Sequence, residues 1–227
     1  MIKPQRLKKG DKVAIVSLSA GTLGEKWAIH RYYIAKERLE NDFGLKVVVM
    51  ENTLKGIKYL DEHPEARAKD LMDAFKDDSI KAVFNAIGGD DTIRLLPYID
   101  FEVIRNHPKV FTGYSDTTIN HLMMYKAGLV SYYGLAVLTT LSEYVKMDDY
   151  SLEMMRKTLF EPVQQLEIYK APYYYDDDDE MIRWDENNIN VLRQYHKDEN
   201  GYEVIQGNGV VEGELLGGCL DTFIEIL

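Results

Sequence analysis

The sequence predicts an α/β fold: a mostly parallel sheet flanked by helices, followed by an incomplete second domain rich in β structure. Three observations predict it. Short apolar runs alternate with segments of helical periodicity through residues 1–160, glycine-marked turns separate them, and the alternation stops near Pro162, where the composition changes. Alternation of this kind implies right-handed crossovers and a sheet covered by helices on both faces.

The elements follow in order. Val13 to Leu18 comes after the Gly10-Asp11 turn as a first strand. The next helix carries Ala28, Tyr32, Ala35, Leu39 and Phe43 on one face and ends at Gly44, and Leu45 to Met50 is a second strand. Pro64 suits a first helical position, where its missing N–H costs nothing, and Ala68, Leu71 and Phe75 form the buried stripe of that helix. A third strand, Ile80 to Asn85, runs through Ala86-Ile87 to the turn Gly88-Gly89-Asp90-Asp91-Thr92 and then into a helix through Ile93 to Asp100. A fourth strand begins at Val110. Thr117 to Lys126 continues as a helix capped near Gly128, Val130 to Tyr133 is a fifth strand, and a helix over Ser151 to Phe160 ends before Pro162.

Three regions result: an α/β domain over 1–160, a linker and substrate loop over 161–190, and the start of a truncated C-terminal domain over 191–227. The last expectation rests on Leu220, Phe223, Ile224 and Leu227, which fall at helical spacing after Gly217-Gly218 with no glycine, proline or basic last turn to end the helix.

Composition narrows the function. Of 227 residues, 45% are hydrophobic, which supports a packed core, and 27 basic against 38 acidic residues leave a formal charge of −11. That balance argues against nucleic acid or an anionic membrane as partner, since both select basic patches. A single cysteine, Cys219, excludes an internal disulfide framework, and no metal-ligand spacing appears. With no signal-peptide pattern and no run long enough to span a membrane, the expectation is a cytoplasmic protein without metal or cofactor.

The most informative stretch is Val110-Phe111-Thr112-Gly113-Tyr114-Ser115-Asp116-Thr117-Thr118: strand, sharp turn, helix start. A serine mounted there projects its hydroxyl at the carboxyl edge of a sheet, with the following N–H groups at the positive end of a helix dipole. Taken locally, Ser115 reads at least as well as an N-cap, with Asp116 adding first-turn charge. The Gly88-Gly89 turn would meet it at the same edge and offer unobstructed amides to a developing oxyanion, or serve as a phosphate-binding or plain turn.

Together these segments resemble the LD-carboxypeptidase family of serine peptidases, and within it the microcin C self-immunity branch. The resemblance covers nearly the whole chain. It rests on Gly113-Tyr114-Ser115-Asp116, on Ile87-Gly88-Gly89-Asp90-Asp91 with Arg94-Leu95-Leu96-Pro97-Tyr98-Ile99-Asp100, on Tyr133-Gly134-Leu135-Ala136, and on Val211-Glu212-Gly213-Glu214-Leu215-Leu216-Gly217-Gly218-Cys219-Leu220. The murein-recycling branch usually carries an arginine before the paired glycines and a tyrosine after them; Ile87 and Asp90 stand there instead and favour the self-immunity branch. The resemblance implies a Ser-His-Glu triad with Ser115 as nucleophile and Glu212 as the carboxylate orienting the histidine. The amides of Gly89 and Asp116 are candidates for the oxyanion hole, Gly88 and Asp90 for substrate contact. It implies a small-molecule or peptide substrate and a homodimer.

The catalytic histidine has no match in this chain. His30, His63, His107, His121 and His196 each read as a helix, cap, turn or loop residue, and His121, six positions beyond Ser115, falls on a different helix face. The sequence thus predicts that this chain alone is inactive, or, in a second reading, a non-catalytic nucleotide- or peptide-binding module. Between Pro172 and Glu180 an aromatic run passes into an acidic one without periodicity and reads as an exposed loop. Trp184 beyond it is balanced between simple packing and stacking on a nucleobase.

Overall fold

The computed structural model describes residues 1–162, 164–175 and 184–224. Five strands, β1 (Lys12–Val16), β2 (Lys46–Val49), β3 (Ile80–Asn85), β4 (Val110–Gly113) and β5 (Tyr132–Tyr133), form one parallel sheet in the order β2-β1-β3-β4-β5. All five predicted strands are present, some shorter than their apolar runs.

Strand alternation divides the core between the two faces of the sheet. Val13 and Ile15 of β1 face α1 (Ile29–Asn41), burying Tyr32, Ala35 and Leu39 with Leu138 and Leu141. Ala14 and Val16 face the opposite layer, where α3 (Pro64–Lys76) and α5 (Thr118–Lys126) bury Ala68, Leu71, Phe75, Ile119, Met123 and Met124. The Pro64 expectation holds, since it starts α3.

Two helices escaped the sequence reading: α2 (Gly56–Glu62) and α4 (Phe101–Asn106), the latter capped by Asp100, which accepts from the Glu102 and Val103 amides. The helix expected over Ile93 to Asp100 is a 3₁₀ segment, Thr92–Tyr98, with Pro97 inside it. Proline cannot donate to a helical ladder and clashes with the preceding turn, so the α geometry does not propagate there. The helix expected over Ser151 to Phe160 is α6 (Asp149–Met155) continued by a π-helical turn, Arg156–Phe160.

Beyond Pro162 the described β structure is a two-residue antiparallel pairing of β6 (Tyr173–Tyr174) with β7 (His196–Lys197). The acidic run Asp176 to Glu180 lies outside the described residues. A last helix, α7 (Leu220–Ile224), presents Leu220 (80% exposed) and Ile224 (71%) to solvent, while Phe223 is half-buried and Thr222 is buried.

In this frame His121 is a packed residue of α5. Its Nε2 lies 3.0 Å from the Gly113 carbonyl and its Nδ1 2.8 Å from Ser131 Oγ. Since a carbonyl only accepts, Nε2 carries the proton and Nδ1 accepts from the serine. Burial, opposed only in part by the hydrogen bond to Gly113, pulls its pKa down from 6.5 to about 4. A base depressed in the folded state is protonated preferentially on unfolding, so the stability it contributes is complete above pH 6.5 and is lost as pH falls toward 4. We expect the unfolding free energy to drop by about 3 kcal/mol across that window. His121→Gln should flatten that slope in urea titrations at several pH values; an unchanged slope would assign it to other groups.

Candidate active site

The strand order reverses direction between β1 and β3, and ligands of such sheets bind at the carboxyl ends of the strands where this happens. Three loops meet there: the one after β1 with Ser19, the one after β3 with Gly88 and Gly89, and the turn after β4 with Ser115.

Ser115 sits at φ +60°, in the left-handed region, between extended Tyr114 and the 3₁₀ turn that opens α5. For a residue with a Cβ this costs about 1–2 kcal/mol. Three bonds hold it there. The Ser115 amide donates to the Tyr133 hydroxyl at 2.9 Å, Thr118 Oγ1 donates to the Ser115 carbonyl at 2.7 Å, and the preceding Gly113 carbonyl accepts from the Gly134 amide at 2.9 Å. Neither the 3₁₀ turn nor α5 has a side-chain N-cap, and the Ser115 hydroxyl makes no hydrogen bond among the described residues. The capping geometry the local pattern suggested is therefore not formed. The hydroxyl is held out by a strained turn instead, the arrangement in which nucleophilic serines are mounted.

Glycine is required where the Gly88-Gly89 loop passes this turn. A Cβ on Gly88 would lie 2.7 Å from Ser115 Cβ and 3.0 Å from Ser115 Oγ. One on Gly89 would lie 2.8 Å from the Ala20 nitrogen and closer still to Ser19 Oγ. The amides of Gly89 and Asp116 make no hydrogen bond among the described residues.

The side chain of Asp116 has a role that the sequence did not disclose. It is 1% exposed, and its Oδ2 accepts from Ser19 Oγ (2.6 Å), Thr92 Oγ1 (2.6 Å), Thr92 N (2.9 Å) and Asp91 N (3.1 Å). Arg67 of α3, fully buried, completes the lattice: it grips Asp91 through both terminal nitrogens (2.7 and 2.9 Å) and donates to the carbonyls of Leu18 and Ser19. Burial works to raise the Asp91 carboxyl, but Arg67 and Arg94 outweigh it and hold the group below the usual carboxylate range.

The remaining predicted site residues stand apart. Asp90 is exposed on the Gly88-Gly89 loop. Glu212 is exposed within a stretch lacking regular structure and makes no hydrogen bond or ion pair among the described residues, while nearby Glu214 Oε2 lies 3.5 Å from the Tyr125 hydroxyl. That segment does reach the serine helix: the Cys219 amide donates to Thr118 Oγ1 at 2.9 Å, and Gly218 packs on the same side chain. Trp184 packs against the core beside Trp27 and Arg31. None of the five histidines touches Ser115: His30 meets Tyr144, His63 meets Glu65, His107 meets Asp78, His121 is placed as above and His196 lies beside Tyr174. Among the described residues no three His, Cys, Asp or Glu side chains converge as metal ligands, and no helix is long and apolar enough to cross a membrane.

The fold places a strained serine against a glycine loop at the sheet edge, and comparison with known proteins names the family. Residues 13–134 match the LD-carboxypeptidase N-terminal domain. The chain belongs to the LD-carboxypeptidase family. It is 31% identical over 219 residues to the microcin C7 self-immunity protein MccF of Escherichia coli (96% of this chain, 61% of that protein) and 34% identical over 222 residues to the putative carboxypeptidase YocD of Bacillus subtilis (96% and 62%). Among solved structures, an MccF-like protein from Streptococcus pneumoniae in complex with AMP superposes with a TM-score of 0.86 at 37% identity, covering 96% of this chain and 63% of that one. MccF in complex with aspartyl sulfamoyl adenosine does so at 0.81 and 28% identity, covering 100% and 65%. The chain thus spans about three fifths of the length of the relatives it matches.

If the left-handed turn is strained as described, removing the Cβ should relieve it. Ser115→Gly is expected to be more stable than Ser115→Ala by about 1 kcal/mol in chemical denaturation, the reverse of the usual order, which penalises glycine. An alanine variant as stable as the glycine variant would remove the strain from the account.

Proposed function

We propose that this protein is a serine peptidase or amidase cleaving an amide next to a terminal carboxylate or a nucleotide-type group, with a microcin C-like aminoacyl nucleotide or a murein LD-peptide as substrate. The observation that carries this reading is the Ser115 hydroxyl, unengaged on a strained turn between two unpaired amides. Ser115 Oγ attacks the carbonyl, the Gly89 and Asp116 amides receive the oxyanion, and a histidine other than the five in this chain takes the serine proton and returns it to the leaving nitrogen; water then releases the acyl group. Glu212 orients that histidine. Gly88 and Asp90 border the substrate, and Trp184 stacks on the base.

The ligands held in the two related structures, AMP and aspartyl sulfamoyl adenosine, support a nucleotide-type group, and the 34% identity over 148 residues with a probable murein peptide carboxypeptidase of Bacillus subtilis keeps the peptide in view. On the same reading the protein works in the cytoplasm, as a homodimer, without metal or cofactor. Serine without its base is a weak nucleophile, so the 227-residue chain by itself should hydrolyse neither substrate and react slowly with phosphonates. The engagement of every histidine elsewhere also favours one second reading, a non-catalytic nucleotide- or peptide-binding module.

Mass spectrometry of the complete enzyme incubated with an aminoacyl sulfamoyl adenosine and with an LD-tetrapeptide decides between them. We expect Ser115→Ala to lower turnover by about 10⁶ and Glu212→Gln by about 10³ to 10⁴, both with the fold intact. Near-normal cleavage by Ser115→Ala would overturn the assignment, and a harmless Glu212→Gln beside a crippled Glu214→Gln would transfer the orienting role.

A further inference from the structure

The two tryptophans of the chain, Trp27 and Trp184, are 157 positions apart in sequence and in contact in space, their ring centroids 5.4 Å apart and their planes 72° apart. Trp184 has a second neighbour. The guanidinium of Arg31 lies over its ring at 5.1 Å and over the Tyr144 ring at 4.9 Å, and is held by the Leu138 carbonyl (2.7 Å) and Ser142 Oγ (3.1 Å). Arg31 is fully buried, so this cation is a fixed backing for the indole rather than a mobile surface group. The same helix adds His30, whose Nε2 meets the Tyr144 hydroxyl at 2.7 Å, and that hydroxyl donates to the Asp185 carbonyl at 3.1 Å. The position of Trp184 is therefore set by side chains of α1 and by Tyr144.

The cluster is linked through the backbone to the segment that leads from β3 into the glycine loop. The carbonyl that holds Arg31 belongs to Leu138, whose amide donates to the Ala86 carbonyl at 2.9 Å, directly upstream of Gly88-Gly89. Trp27 itself follows the β1 loop, where Ser19 and Ala20 abut Gly89. Yet Trp27 is 50% exposed, although it is among the most apolar side chains the protein could bury. Half of its surface is open to solvent, and a flat heteroaromatic ring would cover it favourably.

We propose that Trp27 is a second aromatic wall of the base subsite: the nucleobase of a nucleoside monophosphate contacts Trp27 as well as Trp184, whose tilt Arg31 fixes. This deepens the nucleotide reading above and rests on it. Because the two walls stand at a steep angle, a planar ring laid on one is bounded by the other, so Trp27 contributes to affinity for the base.

The chain's own emission provides the test, since both of its tryptophans lie in the cluster. Purified protein is titrated with AMP and followed by tryptophan fluorescence and calorimetry, for the wild type and for Trp27→Ala, Trp27→Leu, Trp27→Phe and Trp184→Ala, with thermal melts confirming that each variant folds. Stacking predicts about a tenfold or greater loss of AMP affinity in Trp27→Ala, an equal loss in Trp27→Leu, which keeps apolar bulk without a π-face, and recovery in Trp27→Phe. Leucine restoring affinity as well as phenylalanine would make Trp27 a packing residue and overturn the inference. Loss of affinity in Trp184→Ala with none in Trp27→Ala would overturn it while leaving the nucleotide reading standing. A wild-type protein that does not bind AMP would overturn both.

Discussion

The carboxylate of Asp116 is the constraint on which the candidate site depends. One oxygen accepts from the loop after β1 and from two residues of the loop after β3, while its own backbone belongs to the turn after β4. Leaving a buried donor without its acceptor costs about 1–3 kcal/mol, and several would be stranded at once if this group were removed. The left-handed conformation of Ser115 costs about as much as one of those bonds. The lattice fixes the loops around the turn, and the Tyr133, Thr118 and Gly134 bonds hold Ser115 within it. Arg67 extends the same logic outward, since its planar fork locks Asp91 while its remaining reach satisfies the Leu18 and Ser19 carbonyls.

Topology explains why such a lattice can exist. Parallel strands deliver all of their following loops to one edge, and the reversal of strand order between β1 and β3 opens a space there. Glycines at 88 and 89 then let backbone approach backbone at distances that any side chain would forbid. The serine and the candidate oxyanion amides are both products of that edge.

Much of this was legible in the sequence because it is periodic or punctuated. The third strand is matched end to end, and the α1 stripe of Tyr32, Ala35 and Leu39 is buried as its spacing predicts. What was misread involved local chemistry that overrides periodicity, as Pro97 does in turning an apparent helix into a 3₁₀ segment. The site was half legible. Gly113 before Ser115 announced a turn, but nothing announced its left-handed serine or the Tyr133 hydroxyl that holds its amide. Asp116 looked like first-turn charge because its partners Ser19, Asp91 and Thr92 lie 97, 25 and 24 residues away, and a hydrogen-bond hub assembled over such distances leaves no local pattern. Glu212 is the converse case: a motif names it, while no contact among the described residues joins it to the serine.

Amide hydrogen exchange in Asp116→Ala tests the central claim most directly, because two of the four donors to the carboxylate are themselves exchangeable amides, Asp91 and Thr92. If Asp116 ties the three loops together, both amides should exchange at least about tenfold faster in the variant while the amides of β1 and β3 keep their protection. Unchanged protection at Asp91 and Thr92 would contradict the account, and would mean that the loops hold their places at the sheet edge without it.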